Sequence, residues 1–358
     1  MKITGVETCT LDISGEAGGH AFQRDHSVVL VRTDEGLTGL SRTGPANIPV
    51  IEALMPILLN QSPLDVERLW HAMYATTQSR GHPDSRLVGA IGALDIALWD
   101  LKGKALGQPV WRLLGGFRRR VPAYADGTIF ERETADLVQR LADYRDQGFT
   151  QVKFHTLNND PVEVLSEIAA VRAAVGDDTQ LMVDAHRAWD PWTAATVAQE
   201  CQKYNVYWLE EPVQWDDQVE GLAVVARAAP HLLVAGGEGE RTLYAARDLV
   251  ARGSVRVLQL DILGGGGYTA WRKYAALAEA FHVKVAPHGA SFPELNAHLV
   301  AAAPNGLTVS TCPACEPYQI WSRLYVQPLD VRDGWITLSD RPGLGLTLDE
   351  DFISRHQR

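Results

Sequence analysis

From about residue 120, short β-rich runs alternate with amphipathic helical runs, and few folds accommodate that alternation. The runs are VPAYA (121–125), TQVKFH (150–155), QLMVD (180–184), VYWLE (206–210), LLVAGG (232–237), VRVLQLD (255–261), VKVAPH (283–288) and LTVST (307–311). Between them, Leu137, Leu141 and Tyr144 follow the i, i+4, i+7 spacing of a helix face, as do Val164, Ile168 and Val171. Apolar strands separated by helices imply a parallel sheet buried on both faces. Eight in succession predict an α/β fold closed into a barrel rather than an open sheet.

The chain before the barrel reads differently. SVVLVR (27–32) and LTGLS (37–41) flank TDEG, the pattern of a hairpin. Residues 47–76 and 87–106 carry helical patterning. The expected organisation is an α+β domain over 1–116, a barrel over 117–318, and a turn-rich segment over 319–358 that packs back on the first region.

Bulk properties narrow the function. A net charge of −11 with no Lys/Arg stripe argues against a nucleic-acid partner. No run approaches the roughly 20 apolar residues that span a bilayer, and MKITGVETCT is not a secretory signal. Four cysteines, Cys9, Cys201, Cys312 and Cys315, fit a reducing, cytoplasmic setting. Cys312 and Cys315 form a lone CxxC with no second pair, which argues against a structural zinc.

Barrel chemistry gathers at the C-terminal ends of the strands. There the sequence places Lys153 and His155, Asp184 and His186, Glu210 and Glu211, Glu238 and Glu240, Asp261, His288 and, past the last strand, Glu316. Asp184, Glu210 and Glu238 come from three consecutive strands. Three converging carboxylates repel unless a cation lies between them. An all-oxygen set suits a hard ion, Mg²⁺ above Ca²⁺ or Mn²⁺.

These residues match a known pattern. GALDIALWDLKGKALGQPVWRLLGG (92–116), MVDAH, WLEEP, GGEGE and PGLG (342–345) resemble motifs of the mandelate racemase branch of the enolase superfamily, in the same order. The resemblance implies a modified TIM barrel of (β/α)7β type, capped by an α+β domain built from both chain ends. It implies Mg²⁺ held by Asp184, Glu210 and Glu238, and removal of the proton α to a metal-bound carboxylate. The divalent ion stabilises the enediolate charge as a Lewis acid. His288 and Asp261 are the implied His–Asp dyad, the acid orienting the imidazole and raising its basicity. It also implies assembly as a homo-oligomer, a dimer or octamer.

Three positions depart from, or refine, that pattern. Lys153-Phe154-His155 stands where the branch commonly has Lys-x-Lys. His155 is therefore expected either to transfer a proton or to bind a hydroxyl. Asp184-Ala185-His186 resembles members that dehydrate sugar acids, with His186 either an acid/base or a hydrogen-bonding neighbour of the metal ligand. Glu316 matches the acid that contacts substrate, although CPACEPY is an uncommon surrounding. No lysine follows Asp261, which disfavours a muconate-cycloisomerase or dipeptide-epimerase type of site. For substrate recognition, the segments 14–26 and 41–49 are expected to be capping loops offering His20, His26 and Arg42, with Arg24, Arg80 and His82 as weaker candidates. The expected reaction is dehydration of a sugar acid to a 2-keto-3-deoxy acid. Alternatives are racemisation or epimerisation of a 2-hydroxy acid, sugar-lactone cycloisomerisation, or a catalytically silent, metal-stabilised binding barrel.

Overall fold

The computed structural model describes residues 1–17, 20–76, 84–126, 133–313 and 320–358, with the backbone alone for 15–17 and 20–24. The chain opens with three antiparallel strands, β1 (Ile3–Ala17), β2 (His20–Thr33) and β3 (Thr38–Thr43), in the order β1-β2-β3. β1 and β2 stay in register out to Ala17 and His20. Residues 14–17 and 20–26, expected within a loop, are therefore the far ends of two long paired strands. Helices Ile48–Leu58, Val66–Tyr74 and Ser85–Leu106 follow.

The barrel strands are β4 (Arg120–Ala125), β5 (Gln151–His155), β6 (Gln180–Asp184), β7 (Val206–Glu210), β8 (Leu233–Gly236), β9 (Val257–Leu258), β10 (Lys284–Val285) and β11 (Val309–Thr311). Neighbours pair in parallel from β4 through β10, and β11 pairs with β4. Between β10 and β11 the contact is one bridge, Val285 with Gly306. There Val285 N donates to Asn305 O at 3.1 Å and Leu307 N to Val285 O at 2.8 Å. Each strand from β4 to β10 is followed by a helix, in turn Thr134–Asp146, Pro161–Val175, Pro191–Glu200, Gln218–Ala228, Leu243–Ala251, Gly267–Ala280 and Pro293–Ala302. This is the expected (β/α)7β pattern. The helix faces read from spacing are buried: Leu137, Leu141, Tyr144, Val164, Ile168 and Val171 are all 0% exposed. No helix among the described residues is long and apolar enough to cross a membrane.

The end of the chain adds β12 (Asp330–Arg332) and β13 (Trp335–Thr337), with β13 antiparallel to the start of β4. Ile320, Trp321, Leu324, Tyr325, Phe352 and Ile353 pack against Leu11, Ile13, Val28 and Leu40 of the N-terminal sheet. Arg358 reaches Asp12 at 3.0 Å and Asp25 at 3.1 Å.

One helix joins the N-terminal region to the barrel. Ser85–Leu106 starts on Asp84, whose carboxylate accepts from Leu87 N at 2.8 Å, and stops at Gly107 with φ +63. From Leu87 to Leu101 it is buried on every face because it lies between the three-stranded sheet and the barrel helix Gly267–Ala280. Its two buried acids make the joints. Asp95 accepts from Thr269 N at 2.9 Å and Thr269 Oγ1 at 2.5 Å. Asp100 accepts from Leu40 N and from Leu344 N, each at 2.8 Å, and from Lys104 Nζ at 2.6 Å. Gly92 is required because a Cβ there would lie 2.5 Å from Leu263 O, in the turn that carries Asp261.

Arg42 belongs to this joint, which corrects its expected role in substrate binding. It lies in β3 at 0% exposure, with Nη2 2.6 Å from Glu294 Oε1 of the helix Pro293–Ala302. It also donates to Ser291 O, and Tyr325 OH donates to Glu294 Oε1 at 3.1 Å. The pair thus ties three distant segments together. His26 is likewise corrected from loop to strand, 4% exposed within β2.

Two predictions follow from these joints. Arg42→Ala leaves Glu294 buried without its cation, so urea denaturation is expected to show a loss of about 3–5 kcal/mol. Unchanged stability with a raised KM would restore Arg42 as a substrate contact. His298, 1% exposed, accepts from Trp111 N at 3.1 Å, and burial lowers its pKa to about 4 from 6.5. The folded protein therefore binds fewer protons than the unfolded chain between these values. Its contribution is complete above pH 6.5 and falls away as pH drops to about 4, amounting to about 3 kcal/mol. In His298→Asn this part of the acid destabilisation should vanish; an identical pH profile would refute it.

Candidate active site

The strand ends deliver their polar side chains to one rim. In β5, alternation places Lys153 at 2% exposure. Its Nζ lies 2.9 Å from Glu210 Oε1, 3.3 Å from Asp184 Oδ2 and 3.4 Å from Asp126 Oδ2. Burial disfavours the charged amine, but these carboxylates outweigh it and hold the lysine protonated well above its ordinary range. Asp184 and Glu210 are direct register partners on β6 and β7. Burial raises the Glu210 carboxyl to about 7 even beside Lys153. Trp208 Nε1 donates to its other oxygen at 3.1 Å.

His155 sits in the same cluster. Its Nε2 is 3.1 Å from Asp126 Oδ1, and its Nδ1 is 3.2 Å from Asp184 Oδ2 and 2.8 Å from His186 Nε2. Burial opposes the imidazolium, yet Asp126 and Asp184 raise its pKa to about 10. His186 does not arrive by strand alternation. β6 stops at Asp184, and a turn with positive φ at His186 (+47) and Arg187 (+64) folds the ring back. Its own N–H caps Asp184 Oδ1 at 3.0 Å. Burial, then the neighbouring cations against the pull of Asp184, lower its pKa.

Across the rim, His288 and Asp261 lie three residues past the ends of β10 and β9 and are joined by an isolated parallel bridge. His288 Nδ1 is 3.3 Å from Asp261 Oδ2. The other Asp261 oxygen accepts from Leu263 N at 2.8 Å and Gly264 N at 2.7 Å, which fixes the carboxylate. His288 Nε2 is 2.9 Å from Glu238 Oε2. Burial opposes the charge on His288, and Glu238 with Asp261 overrides it and raises the pKa well above normal. Burial alone would raise Glu238; His288 reverses this and leaves it at about 2.

The three expected metal carboxylates are thus on one rim but not gathered around one point. Among the described residues, the set of three metal-type donors lying within 4.8 Å of one another is His155, Asp184 and His186. The reason is charge pairing: Lys153 holds Asp184 and Glu210, while His288 and Arg187 (Nη1 3.2 Å from Oε1) hold Glu238. The donor chemistry of Asp184, Glu210 and Glu238 nonetheless fits a hard divalent cation. All are oxygens on three consecutive strands, and their charge is balanced by side-chain cations in the place an ion would serve.

Two functional residues escaped the sequence reading. Asp126 directly follows β4, is 5% exposed, and contacts both Lys153 and His155. The strand-end rule finds it once applied to the first strand. Arg187 stacks over Trp215 (4.1 Å) and bridges Glu211 (3.1 Å) to Glu238. Nothing in the sequence singled it out from other surface arginines. Glu316 lies outside the described residues, as do Cys315, Arg80, His82 and the side chains of His20 and Arg24.

Residues 6–115 match the model of the mandelate racemase / muconate lactonizing enzyme N-terminal domain, and residues 136–352 match that of the enolase C-terminal domain-like family. The 3,6-anhydro-α-L-galactonate cycloisomerase of Streptomyces coelicolor is 33% identical over 346 residues, covering 94% of this chain and 93% of that protein. The D-xylonate dehydratase of Haloferax volcanii is 29% identical over 384 residues, covering 99% of this chain and 89% of that protein. The crystal structure of a racemase from Streptomyces coelicolor A3(2) with bound magnesium superposes with a TM-score of 0.90 at 30% identity, over 99% of this chain and 100% of that one. With both of its parts matched in order and its whole length covered, the chain belongs to the mandelate racemase/muconate lactonizing enzyme family of the enolase superfamily.

Proposed function

We propose that this protein is a Mg²⁺-dependent enzyme that removes the proton α to the carboxylate of a sugar acid and then expels the oxygen on the neighbouring carbon, giving a 2-keto-3-deoxy acid. The observation that carries this reading is the opposition of two proton-transfer groups across a rim of carboxylates: His288–Asp261 on one side, and Lys153–His155–Asp126 with His186 on the other.

Asp184, Glu210 and Glu238 would hold the ion, which supplies Lewis-acid stabilisation of the charge that develops on the substrate carboxylate. His288 takes the α-proton at Nε2, the nitrogen that faces away from Asp261. In the present structure Glu238 keeps that nitrogen charged. With Glu238 no longer facing it, His288 retains only Asp261 and can act as a base. Lys153, protonated and buried, contributes fixed positive charge beside the developing enolate. His155, oriented by Asp126 and charged near neutral pH, is the proton donor to the departing oxygen. His186 shares a hydrogen bond with His155 and can return its proton.

Whether the departing oxygen leaves as water is a property of the substrate. A free hydroxyl gives dehydration. An oxygen tethered to the same molecule, as in an anhydro bridge, gives through the same two proton transfers an enol that becomes the keto isomer by losing its hydroxyl proton to solvent and taking one up at the β-carbon. A cycloisomerase 33% identical over 94% of the chain and a dehydratase 29% identical over 99% of it support both outcomes.

The test is incubation with Mg²⁺ in D₂O and a panel of sugar acids, their lactones and anhydro acids, followed by NMR and mass spectrometry. A keto acid that has lost water supports dehydration; a keto product that has lost no water and differs from its substrate only by deuterium taken from the solvent supports cycloisomerisation. α-Deuteration without any product would point to racemisation, and no exchange with any carboxylate would overturn the enzyme reading. His288→Asn should lower turnover by about 10²–10⁴-fold with Mg²⁺ affinity preserved. Full activity in that variant would remove His288 as the base.

A further inference from the structure

His155, Asp184 and His186 present three donor atoms to one point. His155 Nδ1, Asp184 Oδ2 and His186 Nε2 are separated by 2.8, 3.2 and 3.9 Å. Donors each about 2.1 Å from one ion would lie about 3.0 Å apart at right angles and about 3.4 Å apart at the tetrahedral angle. Two edges lie at or near these spacings, and the third, between His186 Nε2 and Asp184 Oδ2, closes to the tetrahedral value if the half-exposed His186 ring swings inward by about 0.5 Å. We propose that these three residues form a transition-metal site, which shares only Asp184 with the carboxylate set and takes a divalent ion of the Zn²⁺ type.

Donor chemistry separates the two sites. Two imidazoles and one carboxylate suit Zn²⁺, Co²⁺ or Ni²⁺, whereas an all-carboxylate set suits Mg²⁺. The support around the triad is also that of a metal site. Asp126 Oδ1 lies 3.1 Å from His155 Nε2, so a carboxylate fixes the ring and directs Nδ1 inward. Asp184 is fixed through its other oxygen by the His186 N–H. The ring of His186 is carried on a left-handed turn and is half exposed, which leaves a route for entry from solvent. The opposing charge is Lys153, 3.3 Å from Asp184 Oδ2, and Asp126 and Glu210 neutralise it.

Asp184 is common to both sites, so Zn²⁺ here would compete for a carboxylate that Mg²⁺ needs. That inhibitory consequence rests on the proposed reaction; the binding does not.

The test is equilibrium dialysis of the full chain against Zn²⁺ in excess Mg²⁺, with X-ray absorption of the bound zinc. The expected result is one Zn²⁺ per chain with two imidazole ligands. His186→Asn, a residue type that tolerates positive φ, should weaken binding at least about 100-fold with unchanged circular dichroism. Asp126→Asn should weaken it about 10–100-fold through the orientation of His155. Glu238→Gln should change it less than about threefold. Zinc affinity untouched by His186→Asn would overturn the proposal. Equal losses in Glu238→Gln and His186→Asn would overturn it too, by assigning zinc to the carboxylate set. A protein inert toward every sugar acid that still binds zinc as described would sink the proposed reaction and leave this site standing.

Discussion

Buried carboxylates at the barrel mouth must be matched by positive charge, and much of the site's arrangement follows from that requirement. Asp126, Asp184 and Glu210 surround Lys153, while Glu238 is shared between Arg187 and His288. Each carboxylate alone would be costly to bury, and each cation alone would lose its proton or its place. Together they form a network that holds its geometry and can exchange one source of positive charge for another. A divalent ion at Asp184, Glu210 and Glu238 would release side chains that now serve as counter-charges. Those released groups, His288 above all, are the ones the proposed chemistry needs.

The network works only if the strands that carry it keep their register and the N-terminal region stays seated. Buried polar joints ensure the second condition. Asp95 clasps Thr269, Asp100 collects Leu40 and Leu344, and Arg42 pairs with Glu294. These contacts use directional hydrogen bonds where apolar packing alone would permit sliding. Gly92 brings the long helix against the backbone of Leu263, two residues from the acid that orients His288. The sequence signature at 92–116 is thus in large part a description of this joint.

Alternating strands and helices made the barrel legible, because strand burial on both faces leaves a direct mark in composition. The expected carboxylates were legible for a related reason, that strand ends share one rim, whereas the pairing of His288 with Asp261, three residues past their strands, was legible only through the family resemblance. Less legible were features that depend on a turn or on a partner far along the chain. His186 reaches Asp184 through positive φ, which residue type alone does not announce. Arg42 reads as a loop cation until Glu294, 252 residues away, is seen beside it. The segment 14–26 reads as a loop because its glycines obscure strand alternation, yet β1 and β2 remain paired as far as Ala17 and His20. Asp126 was within reach of the same strand-end logic but sits one residue past β4, which itself ends Ala123-Tyr124-Ala125 with no ionised group.

On the proposed mechanism the carboxylate rim takes a divalent ion in exchange for the cations that balance it now. A crystal structure grown with Mg²⁺ tests it most directly. The expected result is density for one ion bonded to Asp184, Glu210 and Glu238, with His288 turned from Glu238 and still paired with Asp261. An ion bound elsewhere, or Glu238 still bonded to His288 in saturating Mg²⁺, would contradict it.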